Sequence, residues 1–293
     1  MLLLDSLLAR FPAAKRQTLR QMLHLGRVTI NGQPARSLKT PIAPSDHVRV
    51  HHRPPTPRYS LAPLQLIHED HDILVVSKPP GLLTSTVPNE RRPTAIALIR
   101  RYLAQHHPRA QIGVIHRLDR DASGLLVFSK NHPAYLHLKR QFLQHSVQRI
   151  YTAVVHGLPN PPSGRIQSRL VQLPDGVVRQ TFVPAKGELA ITDYQLLKTV
   201  GTLSLLHVSL LTGRKHQIRA HLSQHNHPIV GDPLYGNAKD DKSPLLLAAT
   251  TLAITHPRTG QRMTFQIPPP PEIQSLFATP PAPAPKPPSA PPK

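Results

Sequence analysis

Cysteine is absent from all 293 residues of this chain. That excludes a disulfide framework, a thiolate zinc site and any mechanism built on a cysteine nucleophile. Long apolar runs are missing as well. The N-terminal "MLLLDSLLARF" is interrupted by Asp5 and Arg10, so it supplies neither a signal core nor a spanning helix. A soluble, cytoplasmic protein with no membrane partner is expected. Acidic residues are scarce: 15 Asp and Glu stand against 36 Lys and Arg, a net charge of +21 with His neutral. Solubility alone asks for a charge of about 2 to 8 on a small domain. The excess calls for a polyanion, and nucleic acid is the first candidate. With cysteine missing, several classes of RNA methylase and deaminase drop out.

The length suggests one large domain and one small one. Residues 1–53 hold nine basic side chains against Asp5 and Asp46, about a third of the net charge. "DSLLARF" and "KRQTLRQMLHLG" show apolar residues at helical spacing, the second closing on Gly26 as a C-cap. "RVTINGQPA" reads as a strand with an Asn-Gly turn, and "SDHVRVHHR" as a closing strand. Residues 54–63 form a proline-punctuated linker that continues neither a helix nor a central strand. From 64 to 267, strand-like runs such as "ILVVSK", "GLLVFSK" and "TLSLLHVSLL" mix irregularly with helical segments, which favours a mixed α+β fold. Residues 268–293 are rich in Pro and Ala, and a disordered tail is expected there.

Chemistry concentrates in "GVIHRLDRDASGLLVFSK", where Asp119 and Asp121 sit in a polar loop between two strands. Strand-end loops commonly carry function, and Asp-x-Asp also fits a two-metal transferase site. By pattern alone an Asx-type turn before Gly124 is the better reading. Tyr151 opens the strand "RIYTAVVHG"; such a residue is usually sheet surface or core, and in an RNA enzyme it is a stacking platform. "LTGRKHQIRAHLSQHNHPIVGDPLYG" carries a helix whose Ile218 and Leu222 make a buried face, with Arg219 at its edge. His221 and His225 have a metal-ligand spacing. No Glu follows His221 in the metalloprotease pattern and no thiolate is available, so no metal is expected.

"ILVVSKPPGLL", "HRLDRDASGLLVFSK", "RIYTAVVHG" and "LTGRKHQIRAHLSQHNHPIVGDPLYG", in this order, resemble the RluA family of pseudouridine synthases over residues 64–267. The helix, basic helix, "VTING" hairpin and "DHVRV" of residues 1–53 resemble the alpha-L (S-four-like) RNA-binding module. The resemblance implies a largely antiparallel central sheet of the pseudouridine synthase type, preceded by a small α/β RNA-binding domain. It implies isomerisation of specific uridines in structured RNA, with no cofactor, by a protein expected to be a monomer. Ribosomal RNA is the expected partner, with tRNA second. Asp119 would be the catalytic aspartate, as a nucleophile or as the base that starts glycal formation. Tyr151 would stack on the uracil, Arg219 would pair with the Asp119 carboxylate, and Ile218 and Leu222 would wall the pocket. Arg117, Arg214, Lys15, Arg16, Arg20 and Arg27 are the expected RNA contacts, and Asp121 becomes a turn residue.

The match has departures: Arg149 stands where the family often has Lys, Ala122 where Thr is usual, and Leu247 where His is common. Two rival readings follow from the same residues. One is an RNA chaperone or ribosome-assembly factor whose modification activity is dispensable. The other is a metal-dependent transferase using Asp119 and Asp121.

Overall fold

A computed structural model describes the chain except residues 25–26, 36, 52–60, 87–91, 108, 184, 237–242 and 279–293. Backbone contacts divide it into two compact units, Met1–Tyr59 and Ser60–Lys293.

The first unit places helices α1 (Leu3–Arg10) and α2 (Arg16–His24) with strands β1 (Val28–Ile30), β2 (Gln33–Pro34) and β3 (Val48–Val50). The strands pair antiparallel in the order β2-β1-β3. Asn31 and Gly32 both take positive φ, which is what a two-residue hairpin turn of this kind demands. Leu3, Leu7, Leu19, Leu23, Val28 and Val48 form the unit's core. The expected C-cap at Gly26 lies outside the described residues.

In the second unit the chain runs through β4 (Gln65–Glu69), β5 (Ile73–Lys78), α3 (Ala95–His106), β6 (Gly113–Val114) and β7 (Ser123–Ser129). It continues through α4 (His132–Leu143), β8 (Gln148–His156), β9 (Ser163–Gln172), β10 (Val178–Thr181), β11 (Glu188–Val200) and β12 (Leu203–Leu210). The last elements are α5 (Gln217–Gln224), β13 (Leu247–Thr255), β14 (Arg262–Gln266) and α6 (Pro271–Leu276). All of these strands join one 11-stranded sheet with the path β10-β9-β11-β12-β8-β13-β7-β5-β4; β14 pairs with β13 and β6 with β7. Every pairing between these strands is antiparallel except β13 on β7. The mixed α+β fold with a largely antiparallel sheet is therefore present.

Strand periodicity sorts the core into two layers. Leu74 and Val76 of β5 pack with Ile96, Ile99 and Leu103 of α3, whereas Ile73 and Val75 pack with Leu138 of α4. The parallel seam depends on Gly124. At φ +116 it brings β7 so close to β13 that a Cβ would stand 2.2 Å from the Ala249 carbonyl oxygen.

Two expectations are corrected at the edges of this unit. Part of the linker lies outside the described residues, but Leu61 is buried with Leu64 in the sheet's main core, so 61–63 belong to the folded unit. The tail does not begin at 268. Ile273 and Phe277, four apart on and just past α6, are buried against Val154, Leu246 and Ala248, and Pro at the first turn suits a helix start. Two well-spaced apolar residues anchor a segment that composition alone reads as disordered.

Candidate active site

The loop between β6 and β7, residues 115–122, is fixed by neighbours that hold its backbone. Leu118 is buried, and Thr84 Oγ1 both donates to its carbonyl (3.1 Å) and accepts its N–H (3.2 Å). Lys78 Nζ, fully buried, donates to the carbonyls of Pro79 and Arg120 at 2.9 Å each. His116 Nε2 accepts the Val127 N–H (3.2 Å), and its ring stacks on Phe142 at 4.8 Å. Burial, with Arg149 and Lys139 nearby, pushes the His116 imidazole down to about 3, so it is neutral and able to accept. Asp119 is thus carried between residues that cannot move independently.

Its carboxylate meets Arg219 from α5. Arg219 Nη1 donates to Asp119 Oδ2 at 3.1 Å. The same guanidinium makes a two-pronged contact with Asp232, Nε to Oδ2 and Nη2 to Oδ1, both 2.7 Å. Asp232 is wholly buried, and its Oδ1 also accepts the N–H groups of Leu234 and Tyr235. Tyr235 lays its ring 5.1 Å from the Arg219 guanidinium carbon. Burial opposes the charge on Arg219, but the hydrogen bonds and charge of Asp232 and the charge of Asp119 outweigh it and raise its basicity. The guanidinium is therefore a fixed cation, held from behind by Asp232 and presented to Asp119. Asp119 Oδ1 has no hydrogen-bond partner among the described residues.

Asp119 and Arg219 line a cleft of about 1250 Å³ together with Arg117, Arg149, Tyr151, Arg214, Ile218 and Leu247. Tyr151 is buried on β8, and its phenol is pushed up by burial, which outweighs the opposite effect of Arg149, with a smaller upward push from Asp119. It stays protonated at neutral pH, which suits a flat apolar wall better than a base. Arg149 passes under the turn before α5, donating to the Leu211 and Thr212 carbonyls at 3.2 Å. Ala122 and Leu247, two departures from the family pattern, also face the cleft.

The expected site residues are thus partly gathered and partly dispersed. Asp119, Tyr151, Arg219, Ile218, Arg117 and Arg214 share the cleft. Arg117 is exposed there without a partner among the described residues, but Arg214 is paired with Glu188 at 2.6 Å and donates to the Leu189 carbonyl. Leu222 is corrected: one turn beyond Ile218 on α5, it is buried in the core and does not line the cleft. In the first unit Lys15, Arg16 and Arg20 are exposed, while Arg27 donates from Nε to the His51 carbonyl. Asp121 also lines the cleft, where its carboxylate is engaged in an ion pair with Arg120 at 3.1 Å. His221 places both ring nitrogens within hydrogen-bond distance of hydroxyls, Ser168 at 3.0 Å and Thr192 at 2.9 Å.

Lys78, Thr84 and Asp232 escaped the sequence reading. Lys78 and Thr84 act through the loop backbone 42 and 34 residues away, and Asp232 through Arg219 on the preceding helix.

Thr84→Val, nearly isosteric, is expected to destabilise the fold by about 1–3 kcal/mol, since it strands two buried backbone groups of Leu118. A lower urea midpoint with an unchanged slope would bear this out. Lys78 predicts a pH dependence. Burial lowers its pKa from 10.5 to about 8, against the opposing charges of Asp121 and Asp119. Between pH 8 and 10.5 the unfolded chain then binds more protons than the folded one, so this group makes stability rise with pH across that window. The rise is on the order of 3 kcal/mol. Stability curves of the wild type and Lys78→Met should diverge in slope there, and equal slopes would rule the assignment out.

The pattern of the RNA pseudouridylate synthase family matches residues 72–224. A ribosomal large subunit pseudouridine synthase D of Neisseria meningitidis is 30% identical over 94% of this chain and 78% of its own length. A protein of Chloroflexus aurantiacus named as an uncharacterized RNA pseudouridine synthase is 37% identical, over 91% of this chain and 85% of its own. Among solved structures, human RNA pseudouridylate synthase domain containing 4 superposes with a TM-score of 0.62. It shares 22% identity and covers 72% of this chain and 91% of its own, a likeness of fold.

Proposed function

We propose, from the premise that this chain belongs to the RNA pseudouridylate synthase family and is an enzyme that isomerises uridine in RNA, that Asp119 carries the reaction. The observation behind this is the one-sided pairing of its carboxylate. Arg219 engages Oδ2 and leaves Oδ1, on a side chain that lines the cleft, unpaired and available to the ribose of an extruded nucleotide. Extrusion costs a few kcal/mol of stacking, which the ring of Tyr151 offsets by stacking on the uracil. In the reaction the bond between the anomeric carbon and the base nitrogen breaks, and the detached base turns within the cleft. A carbon–carbon bond then forms at carbon five, whose hydrogen leaves as a proton, and the ring nitrogen freed from the sugar takes up a proton in its place. The residues supply a fixed carboxylate, a fixed counter-charge and a flat wall. Arg117, exposed at the cleft, contacts the RNA around the vacated position.

Ribosomal RNA is the substrate we propose, following the relative named for the large ribosomal subunit. Release of tritium from RNA labelled at uracil carbon five, tested on ribosomal RNA and on tRNA, checks this. Turnover on tRNA alone would overturn the choice of substrate.

Residues 1–53 are proposed as an alpha-L-like RNA-binding module. The support is the hairpin at Asn31-Gly32 and the exposed Lys15, Arg16 and Arg20, the first just before α2 and the other two on it. Deleting these residues is expected to weaken RNA binding and flatten its dependence on salt, because fewer counterions are released. Every phosphate no longer neutralised should reduce the log–log slope by about 0.9 on duplex RNA, taking the B-DNA value as a guide. An unchanged slope in a titration from 50 to 200 mM salt, a range in which such binding is about 10³-fold sensitive or more, would exclude this role.

A further inference from the structure

A second concavity, about 510 Å³, lies between the end of α3 and the start of α4 and plays no part in the chemistry above. Arg100 and His107 of the α3 end stand on one side, His132 and Tyr135 of α4 on the other, and Gly113 of β6 between them. Among the described residues, no acidic side chain lines it. Arg100, His132 and, in the loop leading to β6, Arg109 are exposed and make no hydrogen bond or ion pair among the described residues. Glu69 approaches His107 at 3.7 Å, but its carboxylate is already engaged by Lys130 and Tyr102. The His132 and Tyr135 rings lie within 19° of parallel, 6.3 Å apart. The space beside Tyr135 is kept by Gly113, where a Cβ would stand 2.5 Å from both the Tyr135 ring and Ser129 Oγ.

This groove and the cleft share two elements. Gly113 lines the groove and Val114 the cleft; on α4, His132 and Tyr135 line the groove while Lys139, Phe142 and Leu143 line the cleft. His132, Tyr135, Lys139 and Phe142 follow one helix face over about 15 Å, roughly the length of four stacked nucleotides at about 3.4 Å each. Cations beside aromatic rings are what a nucleic-acid strand binds: phosphates take the charge and an unstacked base takes the ring.

We propose that this groove binds the RNA strand flanking the target uridine, with phosphates on Arg100 and His132 and a base against Tyr135. The inference rests on the reading of the cleft as the active site. It makes α4 the guide along which RNA is led to Asp119, and it places selection of neighbouring sequence outside the catalytic cleft.

The test is the double variant Arg100→Ala/His132→Ala in the full chain, with Arg100→Glu as a second variant. Both positions are exposed, and unchanged thermal midpoints confirm folding. On a long structured RNA substrate, KM is expected to rise roughly tenfold, with kcat moving far less. The log–log salt slope should flatten by about 0.7 to 0.9 for each phosphate released from the groove. Nuclease protection should disappear from one side of the target only. An unchanged KM, slope and footprint in both variants would overturn the groove while leaving the cleft intact. Absence of any turnover by the wild type would instead remove the reading beneath it.

Discussion

Replacing Asp119 by Asn is expected to abolish isomerisation, lowering kcat by on the order of 10⁴-fold or more, while RNA affinity stays within a few-fold. The asymmetry follows from what Asp119 does and does not support. Arg219 keeps its two bonds to the buried Asp232 when Asp119 loses its charge, so no buried cation is stranded and the fold should persist. An amide at position 119 retains the shape of the side chain but supplies neither a nucleophile nor a base. Binding and tritium release measured on one RNA separate the two effects. Loss of both together would mean that Asp119 is a structural residue. Affinity with no turnover even in the unmodified protein, on any cellular RNA, would favour an RNA-binding assembly factor.

Asp232→Asn is expected to act in the opposite order, on stability first. It places an amide donor opposite Arg219 Nε and removes the wholly buried negative charge. What remains for the guanidinium is Asp119, whose side chain is 22% exposed and touches it through one oxygen. Breaking a buried pair in this way costs about 3–5 kcal/mol. The surviving folded fraction should show a reduced kcat with KM little changed, because Arg219 is no longer held in register with Asp119. Chemical denaturation together with kinetics at low temperature reads both effects. A variant as stable as the wild type would show that Asp232 is dispensable for the pair.

These two aspartates also mark how far the sequence can be read. Asp119 was legible because it sits in a long pattern that pairs with a second pattern around Arg219, and the structure brings those two side chains together. Asp232 is in the same stretch as Arg219, yet a lone Asp before Pro reads as a turn. Its role depends on a helix folding back across a loop, which no local pattern encodes. Strand alternation exposed the mixed sheet, but not the run β12-β8-β13-β7, because partners distant in sequence leave no local trace. The tail was misread for a related reason. Prolines around "PEIQSLF" dominate its composition, while the anchoring comes from Ile273 and Phe277 alone.

The parallel pairing of β7 with β13 has a temporal consequence. Ser123 and Gly124 of β7 meet Ala248 and Ala249 of β13, so the strand that follows the Asp119 loop finds its neighbour more than a hundred residues later. Arg219 likewise comes to Asp119 across 100 residues of chain. Contacts of such separation form late, after the entropy of a long loop has been lost. A ribosome that has translated only as far as α4 has made the carboxylate and its loop, but not the guanidinium that orients it or the strand that closes the sheet beside it. The carboxylate proposed to carry the reaction is synthesised early and would become competent only when nearly the whole chain is available, so a truncated product is expected to carry Asp119 and leave RNA unmodified.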